Sequence, residues 1–152
     1  AAAVLEFDES ADGILGENMG SDGIGGESLT CNTLGEDPFM HMNGQEVFKF
    51  AVRTVPESIK EALDKAKVKK EDVKFYVLHQ ANVRILDSVA KKLEEGLDKF
   101  PKNLDKVGNT SGASVPLLLD EIIRNKSLQR GDIIVLSGFG AGLTWGSVVM
   151  RY

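Results

Sequence analysis

Segments that resemble buried strands alternate with amphipathic helical segments along most of this sequence. Between residues 45 and 66, apolar side chains recur every three or four positions, which is the period of one helix face. The apolar run Val73–Leu78 follows as a strand, and further strands are predicted at residues 133–137 and 143–150. This order is typical of an α/β domain in which helices cover a mixed sheet. We predict a five-stranded, mostly parallel sheet.

The N-terminal segment is predicted to contain strands and loops. Residues 1–9 alternate loosely between apolar and polar and indicate a strand, while residues 12–28 are rich in Gly, Asp, Ser and Glu and indicate exposed turns. A short strand at residues 29–34 and a loop at residues 35–44 follow. The sequence opens without methionine in what resembles the middle of a strand, so we expect a fragment of a longer chain.

Three helices are predicted after this segment. The first contains Pro56, which we expect to kink the helix or to split it, because proline lacks the backbone N–H. The second is predicted at residues 82–95, with Gly96 as its stop. Val107 is predicted to end a short extended segment, and Ser114 to cap the third helix.

Composition and charge narrow the class of protein. The 152 residues are 42% hydrophobic, enough for one domain with a buried core, and carry a formal net charge of -5. No apolar run approaches the roughly 20 residues of a membrane span, and no secretory signal opens the chain. The single cysteine, Cys31, favours the cytoplasm. We expect no nucleic-acid or membrane partner.

The charges are unevenly distributed along the chain. Residues 1–48 contain ten acidic residues and no Lys or Arg, whereas the remainder contains 13 acidic and 18 basic residues. Such asymmetry indicates opposite faces or different partners for the two parts.

Candidate functional residues follow the predicted strands. His79 comes directly after the strand Val73–Leu78, Asn109 precedes the third helix, and the glycine-rich segment 138–142 follows another strand. Ligands of open α/β sheets bind beyond the carboxyl ends of the strands. We therefore expect an imidazole, a carboxamide and flexible backbone N–H groups at one edge of the sheet.

These groups suit the stabilisation of negative charge on oxygen. A neutral histidine and an asparagine can both donate hydrogen bonds to a thioester carbonyl that becomes an enolate, and glycine-rich backbone can approach a second oxyanion. The nucleophile is less clear, because Cys31 has no basic neighbour and no following helix to lower its thiol pKa. A hydrolase that uses Cys31, His79 and Asn109 remains an alternative.

Four motifs resemble the β-ketoacyl-acyl-carrier-protein synthase III family of the thiolase superfamily. They are NGQEVFK at residues 43–49, HQANVRI at 79–85, GNTSGASVP at 108–116 and GFGAGLTWG at 138–146. The resemblance spans essentially the whole chain but only the second half of the family's length. It implies that residues 1–152 form a C-terminal thiolase-like half-domain, and that the catalytic cysteine belongs to an absent N-terminal half.

The resemblance implies roles for particular residues. His79 and Asn109 would hold the malonyl thioester and stabilise its carbanion, and the backbone N–H of Ala141 would form part of an oxyanion hole. Phe139 and Gly140 would line the reaction centre. The residues implied in docking the acyl carrier protein are Gln80, Ala81, Asn82, Val83, Arg84, Lys49, Lys91 and Lys92. Those implied in binding coenzyme A or substrate are Met42, Gly44 and Gln45.

The implied reaction is a decarboxylating condensation of an acyl-coenzyme A primer, expected to be acetyl, with malonyl-acyl carrier protein. The expected partners are the N-terminal half, a second copy of the whole enzyme, the carrier protein and acyl-coenzyme A. No metal or other cofactor is expected, since no metal-ligand spacing of Cys and His occurs. A plant-type polyketide synthase or another relative in the superfamily is the remaining alternative.

Overall fold

The computed structural model describes residues 1–7, 9, 12–31, 35 and 37–152. The helices are α1 (Gly44–Ala66), α2 (Val83–Leu93), α3 (Leu104–Val107) and α4 (Ser114–Arg124). The strands are β1 (Ile14–Ser21), β2 (Leu29–Cys31), β3 (Met40–Met42), β4 (Val73–Leu78), β5 (Ile133–Gly140) and β6 (Thr144–Arg151).

The main sheet has the order β1-β6-β5-β4. Strands β4 and β5 are parallel because the chain crosses over through α2, α3 and α4 between them, whereas β6 is antiparallel to both β5 and β1. The predicted α/β class with a mixed sheet covered by helices is confirmed. The described residues form four strands in this sheet, with one parallel pairing out of three, and so differ from the five mostly parallel strands expected.

The first strand lies later in the chain than the sequence pattern indicated. Residues 1–7 are exposed and form no strand, residue 8 lies outside the described residues, and β1 occupies part of the predicted loop. The segment is a strand because it pairs antiparallel with β6. Gly16 allows this strand to lie against α1, because a Cβ there would lie 2.6 Å from Ala62 O and Ala66 N. Glycine lowers strand propensity, but it allows β1 to approach the backbone of α1 closely.

Helix α1 is continuous through Pro56 rather than split. It begins after Asn43, whose side chain accepts a hydrogen bond from Glu46 N–H, and it ends at the left-handed Lys67. Pro56 is buried together with a long apolar face that packs on β1 and β6. We infer that this packing offsets the backbone hydrogen bond that proline cannot donate.

Helices cover both faces of the sheet, as the alternation along β4 shows. Tyr76 and Leu78 belong to the larger apolar cluster with α1 and α2, whereas Val77 between them belongs to a second cluster with α4. This is the alternation expected of a strand that is buried on both sides. Within the described part of the chain, no helix has the length and apolar character needed to cross a bilayer.

Three local predictions in the crossover differ from the structure. Helix α2 ends at Leu93, and the next residue, Glu94, adopts the left-handed conformation (φ 56°) two residues before Gly96. Val107 ends the short helix α3 rather than an extended segment. Ser114 is the first residue of α4, but its side chain bonds to His79 instead of capping the helix.

Candidate active site

His79 is held at the carboxyl end of β4. Its backbone N–H donates to Ser137 O on β5 at 2.8 Å, which continues the parallel pairing one residue beyond the strand. The imidazole Nδ1 lies 2.6 Å from Ser114 Oγ, and the ring meets that of Phe139 edge to face at a centroid distance of 5.4 Å. Burial lowers the pKa of His79 below its ordinary value of 6.5, so the ring is neutral at pH 7.

A buried polar network supports this histidine. Ser114 Oγ also accepts a hydrogen bond from the backbone N–H of Gln80 at 3.2 Å. The Gln80 side chain donates to Leu78 O at 2.9 Å and accepts from the backbone N–H of Asn103 at 3.3 Å. Gln80, Asn103 and Ser114 are all buried, so the chain segments on both sides of His79 are fixed from within the domain.

Asn109 lies on the loop between α3 and α4, where Gly108 adopts a positive φ of 68°. The Asn109 side-chain oxygen accepts a hydrogen bond from Ser111 N–H at 3.0 Å, which leaves the amide NH₂ as a donor toward solvent. This loop leads directly into Ser114, which is bonded to His79. The Ser114–His79 hydrogen bond therefore ties the asparagine loop to the end of β4.

The glycine-rich segment is partly strand rather than entirely loop. Residues 138–140 pair with residues 144–146 of β6, and the turn consists of residues 141–143. Ala141 is exposed in this turn, and its carbonyl accepts a hydrogen bond from Thr144 Oγ1 at 2.9 Å. Gly142 has a φ of 139°, which side chains rarely tolerate. The turn carries the Ala141 backbone beyond the sheet edge, and Gly140 remains half-buried in β5.

Aromatic rings connect His79 to a cleft beside α1. The Phe50 ring lies 6.3 Å from that of Phe139 and 5.9 Å from that of Trp145. Phe50 is also part of the lining of a cleft of about 270 Å³, together with Leu143 after the turn and the basic side chains Lys49 and Arg53. A larger cleft of about 430 Å³ lies at the opposite edge, where β4 and β5 begin.

The residues implied in coenzyme A binding lie near the beginning of α1. Met42 is the last residue of β3, and Gly44 and Gln45 open the helix; all three are exposed. Glu46 and Lys49, which follow within one turn, line the 270 Å³ cleft. Met42, Gly44 and Gln45 are not themselves part of the cleft lining, so their binding of coenzyme A stays a prediction.

The residues implied in carrier-protein docking separate into exposed and buried sets. Asn82, Val83 and Arg84 are exposed at the beginning of α2, where Asn82 Oδ1 accepts from Arg84 N–H at 2.8 Å. Exposed docking candidates elsewhere are Lys49, Lys91 and Lys92, and Ala81 is half-buried. Gln80 is 0% exposed. Direct docking by Gln80 is therefore corrected to a structural role, since its amide is used inside the domain.

Cys31 lies apart from this network. It ends β2 in the separate two-stranded sheet with β3, and its side chain is exposed. The Sγ atom lies 3.9 Å from Pro38 O. The His79 ring instead uses Nδ1 to contact Ser114. The geometry thus gives no support to a Cys31–His79 nucleophile pair.

Sequence reasoning missed two contributors to the site. Ser114 was interpreted as a helix cap, and Phe50 was not singled out in the first predicted helix. The signal for Ser114 was its place in GNTSGASVP, five residues after Asn109. Phe50 had no distinguishing signal, because its contact with Phe139 joins residues far apart in the chain.

Comparison with known proteins identifies the family. Residues 63–152 match the family model described as 3-oxoacyl-[acyl-carrier-protein (ACP)] synthase III C terminal. The chain is 44% identical over 151 residues to beta-ketoacyl-[acyl-carrier-protein] synthase III 1 of Bacillus cereus and 46% identical over 151 residues to the synthase III of Bacillus pumilus. Each alignment covers 99% of this chain and 47% of the relative.

Solved structures agree with the sequence comparison. The crystal structure of 3-oxoacyl-[acyl-carrier-protein] synthase III from Aquifex aeolicus matches with a TM-score of 0.91 and 41% identity, covering 96% of this chain and 46% of that one. The priming beta-ketosynthase from the R1128 polyketide biosynthetic pathway matches with a TM-score of 0.84 and 34% identity, covering 91% of this chain and 45% of that one.

The chain spans about half the length of the curated relatives it matches. The family model matches residues 63–152, which include both the helical crossover and the glycine-rich turn. His79, Asn109 and Ala141 therefore all lie within the part of the chain that this model matches. The chain belongs to the 3-oxoacyl-[acyl-carrier-protein] synthase III family.

Proposed function

We propose that this chain supplies the histidine and asparagine half of a decarboxylating condensing enzyme. The enzyme joins an acyl group from acyl-coenzyme A, expected to be acetyl, to malonyl-acyl carrier protein and so starts type II fatty acid synthesis. The observation that best supports this proposal is His79, a neutral imidazole fixed through Nδ1 at the edge that also carries the Asn109 loop and the Ala141 turn.

The first step is acyl transfer to a cysteine supplied by the N-terminal half. The cysteine thiolate attacks the primer thioester, forming an acyl-cysteine and releasing the coenzyme A thiol. This divides a difficult exchange into two easier ones. The side chains of this chain then act on the second substrate.

The second step is loss of carbon dioxide from the malonyl group. His79 Nε2–H and the Asn109 amide donate hydrogen bonds to the malonyl thioester carbonyl. The electrons of the breaking carbon–carbon bond move into the thioester, giving an enolate whose charge these donors stabilise. A neutral imidazole suits this role, because an imidazolium would also attract the carboxylate and oppose its loss.

The third step forms the new carbon–carbon bond. The enolate carbon attacks the carbonyl of the acyl-cysteine, and the Ala141 N–H together with the cysteine's own N–H would hold the resulting oxyanion. Collapse of this intermediate expels the cysteine thiolate, which is then protonated, and leaves 3-ketoacyl-acyl carrier protein. The half-buried Phe139 ring beside His79 reduces the access of water to this centre.

The exposed basic side chains suit an acidic carrier protein. Arg84 and Lys91 are separated by seven residues on α2, which places them on one helix face. Lys49 and Arg53 lie beside the 270 Å³ cleft on α1. We propose that these side chains steer the carrier protein, and that Met42, Gly44 and Gln45 contact coenzyme A. The assembled enzyme is proposed to be a cytoplasmic homodimer.

The test uses the assembled synthase, meaning this chain joined to its own N-terminal half or to that of the Bacillus cereus relative. Condensation of acetyl-coenzyme A with malonyl-acyl carrier protein is measured in wild type, His79→Ala, Asn109→Ala and Cys31→Ser. We expect the first two variants to lose about 100-fold or more in kcat, as when one oxyanion donor is removed. The Cys31→Ser variant should retain wild-type activity. An inactive Cys31→Ser variant with an active His79→Ala variant would contradict the proposal.

A polyketide synthase, of the plant type or another relative in the superfamily, is the second candidate, supported by the likeness to the R1128 priming beta-ketosynthase. The substrates separate the two functions. We expect condensation with acetyl-coenzyme A and malonyl-acyl carrier protein, with little product when malonyl-coenzyme A replaces the carrier-bound form. Preferential use of malonyl-coenzyme A would favour a plant-type polyketide synthase instead.

A further inference from the structure

We propose that Ser114 is a positioning residue that donates its hydroxyl hydrogen to His79 Nδ1 and thereby holds the imidazole proton on Nε2. This inference rests on the proposed function, since only the Nε2–H tautomer can donate to the malonyl carbonyl. It assigns a role to a side chain that the sequence pattern presented as a helix cap.

The hydrogen-bonding partners of Ser114 determine the direction of the bond. A serine hydroxyl carries one hydrogen and can accept through two lone pairs. The backbone N–H of Gln80 is always a donor, so its contact at 3.2 Å uses one lone pair of Ser114 Oγ. The described residues offer this oxygen one further partner, His79 Nδ1 at 2.6 Å.

Two arrangements satisfy the short Ser114–His79 contact, and they differ in what remains unpaired. If Nδ1–H donated to Ser114, the serine hydrogen would have no acceptor among the described residues, although Ser114 is 0% exposed. If Ser114 donates to Nδ1, every hydrogen in the contact is paired. Because an unpaired buried polar group costs more than an ordinary hydrogen bond contributes, the second arrangement is favoured.

The surrounding structure keeps Ser114 Oγ in place. Ser114 opens α4, and its backbone N–H donates to Ser111 O in the preceding turn. Gln80, which fixes the other side of the oxygen, is held by Leu78 O at 2.9 Å and by Asn103 N–H at 3.3 Å. The ring nitrogen Nε2 has no partner among the described residues and is left to bind substrate.

Removal of the hydroxyl should affect condensation more than acyl transfer. In Ser114→Ala, the His79 proton can move to Nδ1, and the ring loses a fixed orientation. We expect kcat for condensation in the assembled synthase to fall about tenfold, the cost of one hydrogen bond, with little change in KM for malonyl-acyl carrier protein. Acyl transfer from acetyl-coenzyme A to the enzyme should stay at the wild-type rate.

Two variants separate positioning from general loss of structure. Ser147→Ala removes another hydroxyl with 0% exposure, one that bonds to Ser58 and Ser137 rather than to His79, and should retain wild-type condensation. Ser114→Thr keeps a hydroxyl and should recover most of the activity lost in Ser114→Ala. Equal losses in Ser114→Ala and Ser147→Ala, in both acyl transfer and condensation, would overturn the positioning role.

The tautomer can be observed without an activity assay. In assembled synthase carrying ¹⁵N-labelled histidine, two-bond ¹H–¹⁵N spectra distinguish a protonated ring nitrogen from an unprotonated one, and His79→Ala identifies the His79 signals. We expect Nδ1 unprotonated and Nε2 protonated in wild type, with a mixture in Ser114→Ala. A protonated Nδ1 in wild type would overturn the inference even if His79→Ala abolished condensation. If His79→Ala left condensation intact, the proposed function itself would fail.

Discussion

The rings of His79 and Phe139 meet edge to face with their centroids 5.4 Å apart. His79 follows β4 and Phe139 lies on the parallel neighbour β5, so this contact joins the two strand ends that carry the site. Phe139 also contacts Phe50 on α1 at a centroid distance of 6.3 Å. One aromatic side chain therefore connects the candidate catalytic histidine to the helix beside the cleft.

Truncation of the Phe139 ring should lower the stability of the fold. Phe139→Ala removes the contacts with His79 and Phe50, and we expect it to lower the free energy of unfolding by about 2–3 kcal/mol, at the low end for a phenylalanine because the ring is half-buried. Phe139→Leu keeps most of the apolar volume and should cost about 1 kcal/mol. Chemical denaturation of the assembled synthase measures both values. Equal stabilities of the two variants would show that the ring contributes little packing.

The lowered pKa of His79 predicts a pH dependence of stability. Burial lowers the folded-state pKa, while the unfolded chain takes up a proton near 6.5. The unfolded state therefore binds more protons between these two values, and stability falls as the pH drops from 6.5 through the folded-state pKa. Above about pH 6.5, His79 is neutral in both the folded and the unfolded state, so its effect on stability no longer changes with pH.

Urea unfolding at about pH 7.5 and about pH 5 measures this effect. His79→Gln should remove part of the stability difference between the two pH values. The matched control is His41→Gln, which changes an exposed histidine on β3. This variant should keep the part of the stability difference between the two pH values that comes from His79. The interpretation fails if His41→Gln reduces the pH dependence and His79→Gln does not.

The close approach of β1 to α1 predicts that Gly16 tolerates no side chain. A Cβ there would lie 2.6 Å from two backbone atoms of α1, so the strand or the helix must shift. We expect Gly16→Ala to cost about 1–3 kcal/mol in the free energy of unfolding. Gly138→Ala is the matched strand control, because a Cβ there meets nothing within 4 Å, and it should be neutral or stabilising by less than about 1 kcal/mol. Thermal or chemical unfolding compares the two, and a harmless Gly16→Ala would refute the packing of β1 described here.

Charge reversal tests the proposed docking surface at the beginning of α2. Arg84→Glu in the assembled synthase should lower kcat/KM for malonyl-acyl carrier protein roughly tenfold at low salt, because it weakens the attraction to an acidic partner. The loss should shrink as added salt screens the charges. Acyl transfer from acetyl-coenzyme A should be unaffected.

The control for Arg84→Glu is Lys60→Glu, which makes a similar charge change on the exposed side of α1. Lys60 lies eleven residues beyond Lys49, or about 16 Å along the helix. The Lys60→Glu variant should keep kcat/KM for malonyl-acyl carrier protein close to the wild-type value. Similar losses in both variants would mean that net charge, rather than a local surface, governs the encounter.

The sequence predicted those elements whose patterns are local. The largely apolar segment Val73–Leu78 forms β4 with the predicted bounds, and His79 follows it as expected. The helical period of residues 82–95 gave α2 to within two residues at its end. The family motifs identified the chain without any knowledge of its contacts, because each motif lies in consecutive residues of the sequence.

The features that were missed depend on contacts between distant residues. Strand β1 lies in a segment whose glycines indicated a loop, but the segment pairs with β6 along most of its length, and Gly16 allows it to lie close to α1. Ser114 resembled a helix cap because it stands at the beginning of a predicted helix. Its 2.6 Å contact with His79 joins residues 35 positions apart, so the local pattern gave no sign of it. Gln80 was implied in carrier-protein docking by the family resemblance, although its side chain is fully buried.

Intact mass spectrometry of the assembled synthase after exposure to acetyl-coenzyme A determines which half of the enzyme carries the nucleophilic cysteine. The N-terminal half is expressed as a separate chain, so that each half gives its own mass. We expect the N-terminal half to gain one acetyl group while this chain, with Cys31 as its single cysteine, keeps its mass. Acetylation of this chain at Cys31, with the N-terminal half unmodified, would show that the nucleophile has been assigned to the wrong half.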